Sequence, residues 1–226
     1  MNVDAVVVAA GRGERFGVED KLLAELGGRP VLAWALAALA RAPSVARIVT
    51  VARDARTVLV AADHAGLAGD PRLQVVEGGP RRRDSVAAGL AACSSEYVLI
   101  HDGARPFVSV ELIERCIAAS AGTPGAIAAV PVTDTIKVVG EDGFIVDHPD
   151  RRRLWAAQTP QVVRRDLWLA AAAADDSDAT DDAAMLARAG YRCRVVEGDR
   201  ANLKITYPID LAIARAIAAW QEAAAR

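Results

Sequence analysis

Val6-Val7-Val8-Ala9-Ala10-Gly11-Arg12-Gly13-Glu14-Arg15-Phe16-Gly17, followed closely by Lys21, is the stretch on which the reading of this chain turns. Its valine-rich run predicts a buried strand, and the glycines after it end that strand in a tight loop. Glycine has no Cβ, so such a loop lets backbone N–H groups come close to a phosphate. Arg15 and Lys21 flank the loop with the charge a polyphosphate needs. A plain strand–turn–helix corner with solvated charges fits the same residues, so the rest of the chain has to separate the two readings.

Outward from that loop the pattern repeats. Arg29 to about Arg41 reads as a helix with Pro30 in its first turn, Arg47–Ala52 as a second strand, Ala55 to about Ala65 as a helix begun by Asp54, and Leu73–Glu77 as a third strand. This alternation predicts an α/β fold: a Rossmann-like, mostly parallel sheet with helices on both faces. Right-handed crossovers then line up the loops at the strand C-termini along one edge, where ligands bind in such folds.

The third strand runs into Gly78-Gly79-Pro80-Arg81-Arg82-Arg83-Asp84-Ser85 and a helix from Val86 to about Ala92. Glycines and cations again sit at a helix N-terminus, whose free N–H groups and dipole favour anions. Asp84 or Ser85 also fits as a simple N-cap. The next strand, Tyr97–Ile100, ends in His101-Asp102-Gly103-Ala104-Arg105-Pro106. Asp102 is placed to hold Mg²⁺ on a nucleoside triphosphate, because that ion takes one or two carboxylates and leaves its other positions to water and phosphate oxygens. Pairing with Arg105 is the other use for the same carboxylate. His101 has no ligand-spaced neighbours and reads as a packing or hydrogen-bonding residue.

After a helix from about Val110 to Ala119 and a strand at Ala126–Val132, the rhythm changes. Thr135–Gly140 and Phe144–Asp147 read as short strands around Asp142-Gly143, a hairpin signal. Together with Asp150–Trp155 this predicts a projecting β-hairpin arm at about 133–155 on a single domain spanning 1–226. A lone hairpin is marginal in water, so the arm is expected to pack on something, most simply a second subunit in a homodimer. Thr159-Pro160-Gln161 leads back to the body. A helix at Arg165–Ala174, an acidic loop whose Thr180-Asp181-Asp182 end caps a helix at Ala183–Ala189, a strand at Arg192–Glu197 and a helix from Pro208 to about Ala225 complete the chain. The acidic loop lacks the ordered spacing, central Gly and terminal Glu of a calcium-binding loop.

Composition narrows the class. The 226 residues are 53% hydrophobic but only 4% aromatic, so the core is built from Ala, Val and Leu. A formal net charge of −2 argues against a general nucleic-acid binder. Cys93, Cys116 and Cys193 show neither metal-ligand spacing nor a disulfide framework, which predicts reduced packing residues in a cytoplasmic protein. No stretch reads as a membrane span or a signal peptide. A dinucleotide-binding site is disfavoured: Phe16 occupies the third glycine position of that fingerprint, and Arg53 stands where an acid would end the second strand.

Taken together, the motifs resemble one family. The opening A-A-G-x-G-x-R…K is shared broadly by nucleotidyltransferases. G-G-x-x-R-x-D-S-V (Gly78 to Val86), H-D-G-A-R-P (His101 to Pro106), D-T-I-K (Asp134 to Lys137), D-R-x-x-L-W (Asp150 to Trp155), T-P-Q (Thr159 to Gln161), T-D-D (Thr180 to Asp182) and N-L-K-I-T (Asn202 to Thr206) narrow it to a likeness to the 2-C-methyl-D-erythritol 4-phosphate cytidylyltransferases of non-mevalonate isoprenoid synthesis. The resemblance implies a nucleotidyltransferase fold and transfer of CMP from CTP to methylerythritol phosphate with release of pyrophosphate. It implies that Arg15 and Lys21 stabilise the α-phosphate transition state, and that Ala9, Ala10, Gly11 and Gly13 border the nucleotide. Gly79, Arg82 and Ser85 would hold the base and its surroundings, and Asp102 the Mg²⁺. Arg151 and Lys204 would orient the second substrate, helped by Arg105, Thr135, Thr159 and Thr180. The family's arm-exchanged dimer implies a place for Thr135 and Arg151 in the partner's site. A cytidylyltransferase for ribitol 5-phosphate would share the nucleotide half and differ in Thr135–Arg151 and Thr180–Lys204; a non-catalytic relative would not be expected to keep Arg15, Lys21, Asp102, Arg151 and Lys204 together. The chain departs from the family pattern at Asp20, where Pro is frequent, at Gly103, where Ala is common, and at Ala201, where an acid often stands.

Overall fold

The computed structural model describes residues 1–224 apart from Arg12, Glu14, Val18 and Glu19. Parts of the opening loop and the expected helix end at Ala225 therefore lie outside the described residues.

In chain order the elements are β1 (Val3–Ala9), β2 (Glu25–Leu26), β3 (Arg29–Pro30), α1 (Val31–Arg41), β4 (Val45–Ala52), α2 (Ala55–His64), β5 (Leu73–Glu77), α3 (Arg82–Ala91), β6 (Tyr97–Asp102) and α4 (Val110–Ser120). The second half adds β7 (Gly125–Pro131), β8 (Val138–Val139), β9 (Ile145–Asp147), β10 (Trp155–Arg164), α5 (Arg165–Ala174), α6 (Asp182–Arg188), β11 (Arg194–Glu197) and α7 (Pro208–Ala224).

Seven strands form one sheet in the order β11-β7-β10-β6-β1-β4-β5. β1 pairs in parallel with β4 and β6, β4 with β5, and β7 with β11, while β10 runs antiparallel between β6 and β7. The expected mostly parallel sheet is therefore present, with one reversed strand that the sequence reading took for a return path. The order reverses between β1 and β6, and at such a switch point the two following loops splay apart and open a crevice.

Strands buried on both faces need apolar side chains in both directions, which the runs Ala5-Val6-Val7 and Val98-Leu99-Ile100 supply, all fully buried. On one face Val7, Leu36, Ile48, Leu99 and Ile113 meet under α1, α2 and α4; on the other Val6, Val49, Val86, Ile100 and Trp168 meet under α3, α5 and α6. A smaller cluster around Leu26, Phe107, Ile205 and Ala214 seats α7. No helix among the described residues is long and apolar enough to cross a membrane.

Two helix starts differ from expectation. α1 begins at Val31, because Arg29 and Pro30 pair antiparallel with Glu25 and Leu26 around Gly27-Gly28, both at positive φ. α3 begins at Arg82, so neither Asp84 nor Ser85 is its N-cap. Instead Asp84 sits at the third helical position and accepts from the Arg81 N–H at 3.2 Å, as in a capping box.

The arm is short and open. β8 and β9 pair through a turn with Gly143 at φ +82°, and Val138, Val139, Phe144, Ile145 and Val146 are all exposed.

Candidate active site

The C-terminal ends of β1, β5 and β6 open into a cleft of about 960 Å³. Ala9, Ala10, Gly11, Gly13 and Arg15 line it from the β1 loop, with Lys21 beyond them. Gly79, Arg82 and Ser85 line it from the β5–α3 loop, and Asp102 and Lys204 close the floor. Glycine is required where the two loops meet: a Cβ on Gly78 would lie 2.3 Å from the Ala10 Cβ. A smaller adjoining pocket of about 250 Å³ is lined by Arg105, Thr159 and Thr180 and shares Arg82, Asp102 and Lys204 with the cleft.

Of the three consecutive arginines, one serves the cleft floor. The Arg83 guanidinium donates to the carbonyls of Ala172 in the last turn of α5 and of Asp175 and Ser177 beyond its end. Arg81 is tied to Asp84 and Asp176. Arg82 instead pairs with the buried Asp182 at 2.8 Å and lies 3.7 Å from Asp102.

Asp102 is the acidic centre of a cationic ring. Lys204 Nζ lies 2.8 Å from its Oδ2, and the Nε atoms of Arg82 and Arg105 lie 3.7 Å from its two oxygens. Burial alone would push this carboxyl up; Lys204, Arg82 and Arg105 outweigh it and hold the group well below the usual carboxylate range. Asp102 is thus ionised, and both readings of it, ion pair and metal ligand, draw on the same carboxylate. No cluster of three acidic, histidine or cysteine side chains suited to a metal exists among the described residues. A single carboxylate facing a polyphosphate-sized cleft does fit an ion that arrives with its phosphates.

Lys21 reaches the site from a turn held by Asp20. The Asp20 carboxylate accepts from Leu22 N at 3.0 Å and from the Thr57 hydroxyl on α2 at 3.1 Å. This carboxylate tie stabilises the lysine turn in its proline-free context. Lys21 Nζ donates to the Ile205 carbonyl at 3.1 Å. Its pKa is lowered by burial first and then by Lys204, with Asp102 partly opposing. Arg15 stacks its guanidinium 5.6 Å from the centre of the Tyr207 ring.

Thr159 has a structural task as well as its place in the smaller pocket. Its hydroxyl is buried and accepts from Asp102 N–H at 3.0 Å. His101 Nε2 faces the Arg105 carbonyl at 3.1 Å, and a carbonyl only accepts, so the proton sits on Nε2. Nδ1 must then accept from the Thr159 hydroxyl, 3.0 Å away. This hydroxyl thus fixes the Asp102 backbone, while Thr159 also lines the smaller pocket. Thr135 and Arg151 line neither cavity: Thr135 is exposed on the arm, and Arg151 donates to the Thr133 carbonyl at 2.8 Å.

Buried polar residues that sequence reasoning did not single out complete the floor. Asp182 receives Trp168 Nε1 at 3.1 Å as well as Arg82. Asn202 donates to the Thr159 carbonyl at 2.8 Å, and its own carbonyl receives Arg105 at 2.8 Å. The only signals for them were their places within the T-D-D and N-L-K-I-T motifs.

A family-wide profile described as 2-C-methyl-D-erythritol 4-phosphate cytidylyltransferase matches residues 3–219. A protein of that name from Microcystis aeruginosa is 43% identical over 218 residues, spanning 94% of this chain and 96% of its own. Among solved structures, 4-diphosphocytidyl-2C-methyl-D-erythritol synthase from Anaerococcus prevotii matches with a TM-score of 0.83 at 31% identity, covering 95% of each chain. 2-C-methyl-D-erythritol 4-phosphate cytidylyltransferase from Thermus thermophilus matches with a TM-score of 0.77 at 32% identity, covering 97% of this chain and 100% of its own.

Proposed function

The chain belongs to the 2-C-methyl-D-erythritol 4-phosphate cytidylyltransferase family, and from that premise we propose that its sheet-edge cleft transfers CMP from CTP to 2-C-methyl-D-erythritol 4-phosphate, with Arg15, Lys21 and Lys204 acting on the reacting phosphates. The observation that carries the reading is the convergence of Lys21, Arg82, Lys204 and Asp102 on one cleft beside a second pocket that shares three of them.

The substrate phosphate is an anion at neutral pH, so the attack needs no general base. One of its oxygens forms a bond to the α-phosphorus of CTP, while the bond from that phosphorus to the bridging oxygen breaks and its electron pair leaves with pyrophosphate. The barrier is repulsion between anions and the cost of aligning them, so catalysis rests on placement and on cations aimed at the developing charge. Lys21 and Arg15 approach from the β1 side and Lys204 from the floor beside Asp102. The lowered pKa of Lys21 reflects burial first and then the positive charge of Lys204, and a polyphosphate would relieve the second of these. Gly79, Arg82 and Ser85 border the nucleotide, while Arg105 and Thr180 face the second substrate. Asp102 would hold a Mg²⁺ entering with CTP, and that ion, when bound, supplies Lewis-acid charge to the phosphates.

Thr135 and Arg151 complete the site from the arm of a second copy in a homodimer. Their distance from the chain's own cavities and the exposed apolar arm support this. The three buried or half-buried thiols, with pKa values pushed up to about 12, 12 and 11 by burial, suit a reducing, cytoplasmic setting.

The test is pyrophosphate release with the four nucleoside triphosphates crossed against methylerythritol phosphate and ribitol 5-phosphate. CTP with methylerythritol phosphate should turn over fastest; faster turnover with ribitol 5-phosphate overturns the substrate assignment. Lys21→Ala should cost about 2.7–4 kcal/mol of transition-state stabilisation, a loss of roughly 10²–10³ in rate, with the fold intact. Near-normal turnover of that variant would remove Lys21 from the mechanism.

A further inference from the structure

The reversed strand β10 does not run unbroken through the sheet. Its ladder with β7 is interrupted between Ala157 and Gln161, and its ladder with β6 starts only at Gln161. At that interruption sit Gln158 and Gln161, both buried. Gln158 Nε2 donates to the Asp199 carbonyl at 2.8 Å, and its Oε1 accepts from Asp199 N and Asn202 Nδ2, each at 3.3 Å. It therefore grips both ends of the turn that precedes Lys204. Gln161 Oε1 accepts from the N–H groups of Asp182 and Ala183 at 3.0 and 3.1 Å, and its Nε2 donates to Asp181 Oδ2 at 3.1 Å. It therefore holds the start of α6, which carries Thr180 on its approach and the Asp182 that pairs with Arg82.

Two buried amides surrounded by partners are not the most stabilising filling for a sheet interior. Well-packed apolar side chains of similar volume are often as good for stability, whereas a satisfied polar network fixes one arrangement. What the glutamines add is geometry. We infer that Gln158 and Gln161 are positioning residues for the transfer proposed above: Gln158 sets the loop that carries Lys204, and Gln161 sets the helix start that orients Thr180 and, through Asp182, Arg82. The two act on separate walls of one site from a single break in one strand.

This inference rests on the reading of the cleft as a transfer site, so the experiment has an arm independent of activity. In Gln158→Met, backbone amides of residues 199–202 should exchange faster with deuterium while 182–184 stay protected; in Gln161→Met the pattern should reverse. Kinetically, Gln158→Met should raise KM for methylerythritol phosphate about tenfold and leave KM for CTP unchanged. Gln161→Met should raise both, because it also releases Arg82. Gln161→Glu sets a second carboxylate against Asp181 and should lose activity. Combining it with Asp181→Asn exchanges amide and carboxylate, keeps the acceptor for the helix N–H groups, and should recover part of the loss, the Gln158 carbonyl that Gln161 Nε2 also serves at 3.1 Å remaining without its donor. That pair also decides the role of Gln161 if its methionine variant fails to fold, and Gln158→Glu, which loses the donor to the Asp199 carbonyl and should expose the same 199–202 amides, does so for Gln158. Unchanged local exchange, uniform loss of protection in both methionine variants, unaltered KM values, or a double variant no better than Gln161→Glu overturns the inference. A wild-type protein that releases no pyrophosphate from this substrate pair overturns the proposed function instead, and the exchange arm still judges the glutamines.

Discussion

His101 shows how one side chain can stabilise the site without touching a ligand. It is fully buried, and burial pushes its pKa down to about 4 from its ordinary value of 6.5, so the ring is neutral with its proton on Nε2. Asp102 and the Arg105 carbonyl favour the charged ring, while Arg105 and Lys204 oppose it, and burial outweighs them all. Between pH 6.5 and about 4 the unfolded chain binds a proton that the fold excludes. Stability is therefore full above that window and falls as pH drops through it, by about 3 kcal/mol for this depression. Asp102, whose folded pKa is also depressed, adds a loss of the same sign at still lower pH. Urea midpoints measured at pH 7, 5 and 4 should show the decline, and His101→Gln should flatten it between pH 6.5 and 5; an equally steep curve would remove His101 from the account. The sequence was enough to read His101 as a hydrogen-bonding residue. It was not enough to show that the Thr159 hydroxyl also ties the Asp102 amide, because that depends on which strand lies beside it.

At the scale of elements, the parallel strands and most helices were legible because each is a valine-rich run or an amphipathic stretch with its own punctuation. β10 was not. Pro160 argues against a central strand, and Ala156, Ala157 and Gln158 do not alternate as a half-buried strand would. Its proline is tolerated because the ladders are interrupted there, a tertiary fact that local pattern does not carry. The start of α3 was misjudged for a similar reason: three arginines do not look like a first helical turn until Asp84 is seen closing back on Arg81. α3 also yields a sharp prediction. A Cβ on Gly89 would lie 2.5 Å from Val6 Cγ1 and 2.9 Å from Val51 Cγ2. Alanine gains roughly 0.8–1.0 kcal/mol of helix propensity over glycine, but overpacking costs about 1–3 kcal/mol, so the collision wins. Gly89→Ala should lower the urea midpoint and, by tilting α3 and its Arg82, reduce CTP affinity. A rise in stability would mean that the helix can slide without cost.

For the whole molecule, the arm is the feature that one copy leaves unexplained. Its composition announced a hairpin, and its Phe144 and Val146 are largely exposed. If a second copy covers them and receives Thr135 and Arg151, defects on the two sides of the interface should complement. Lys21→Ala and Arg151→Ala proteins, each nearly inactive, should on subunit exchange regain about a quarter of wild-type turnover, because half the dimers are mixed and each mixed dimer has one intact site. No recovery in mixtures shown to be exchanged would place Arg151 in its own subunit's site. The cleft has a further property that follows from the bond between Lys21 and the Ile205 carbonyl, which joins residues 184 positions apart. The cleft-lining lysine of the opening loop finds its protein acceptor only when a segment near the far end of the chain has arrived. As synthesis proceeds from the N-terminus, the first loop of the site is thus among the earliest parts made and the last to be finished. The growing chain passes through nearly its full length with this lysine unlatched, and the appearance of activity should mark the docking of residues 202–206.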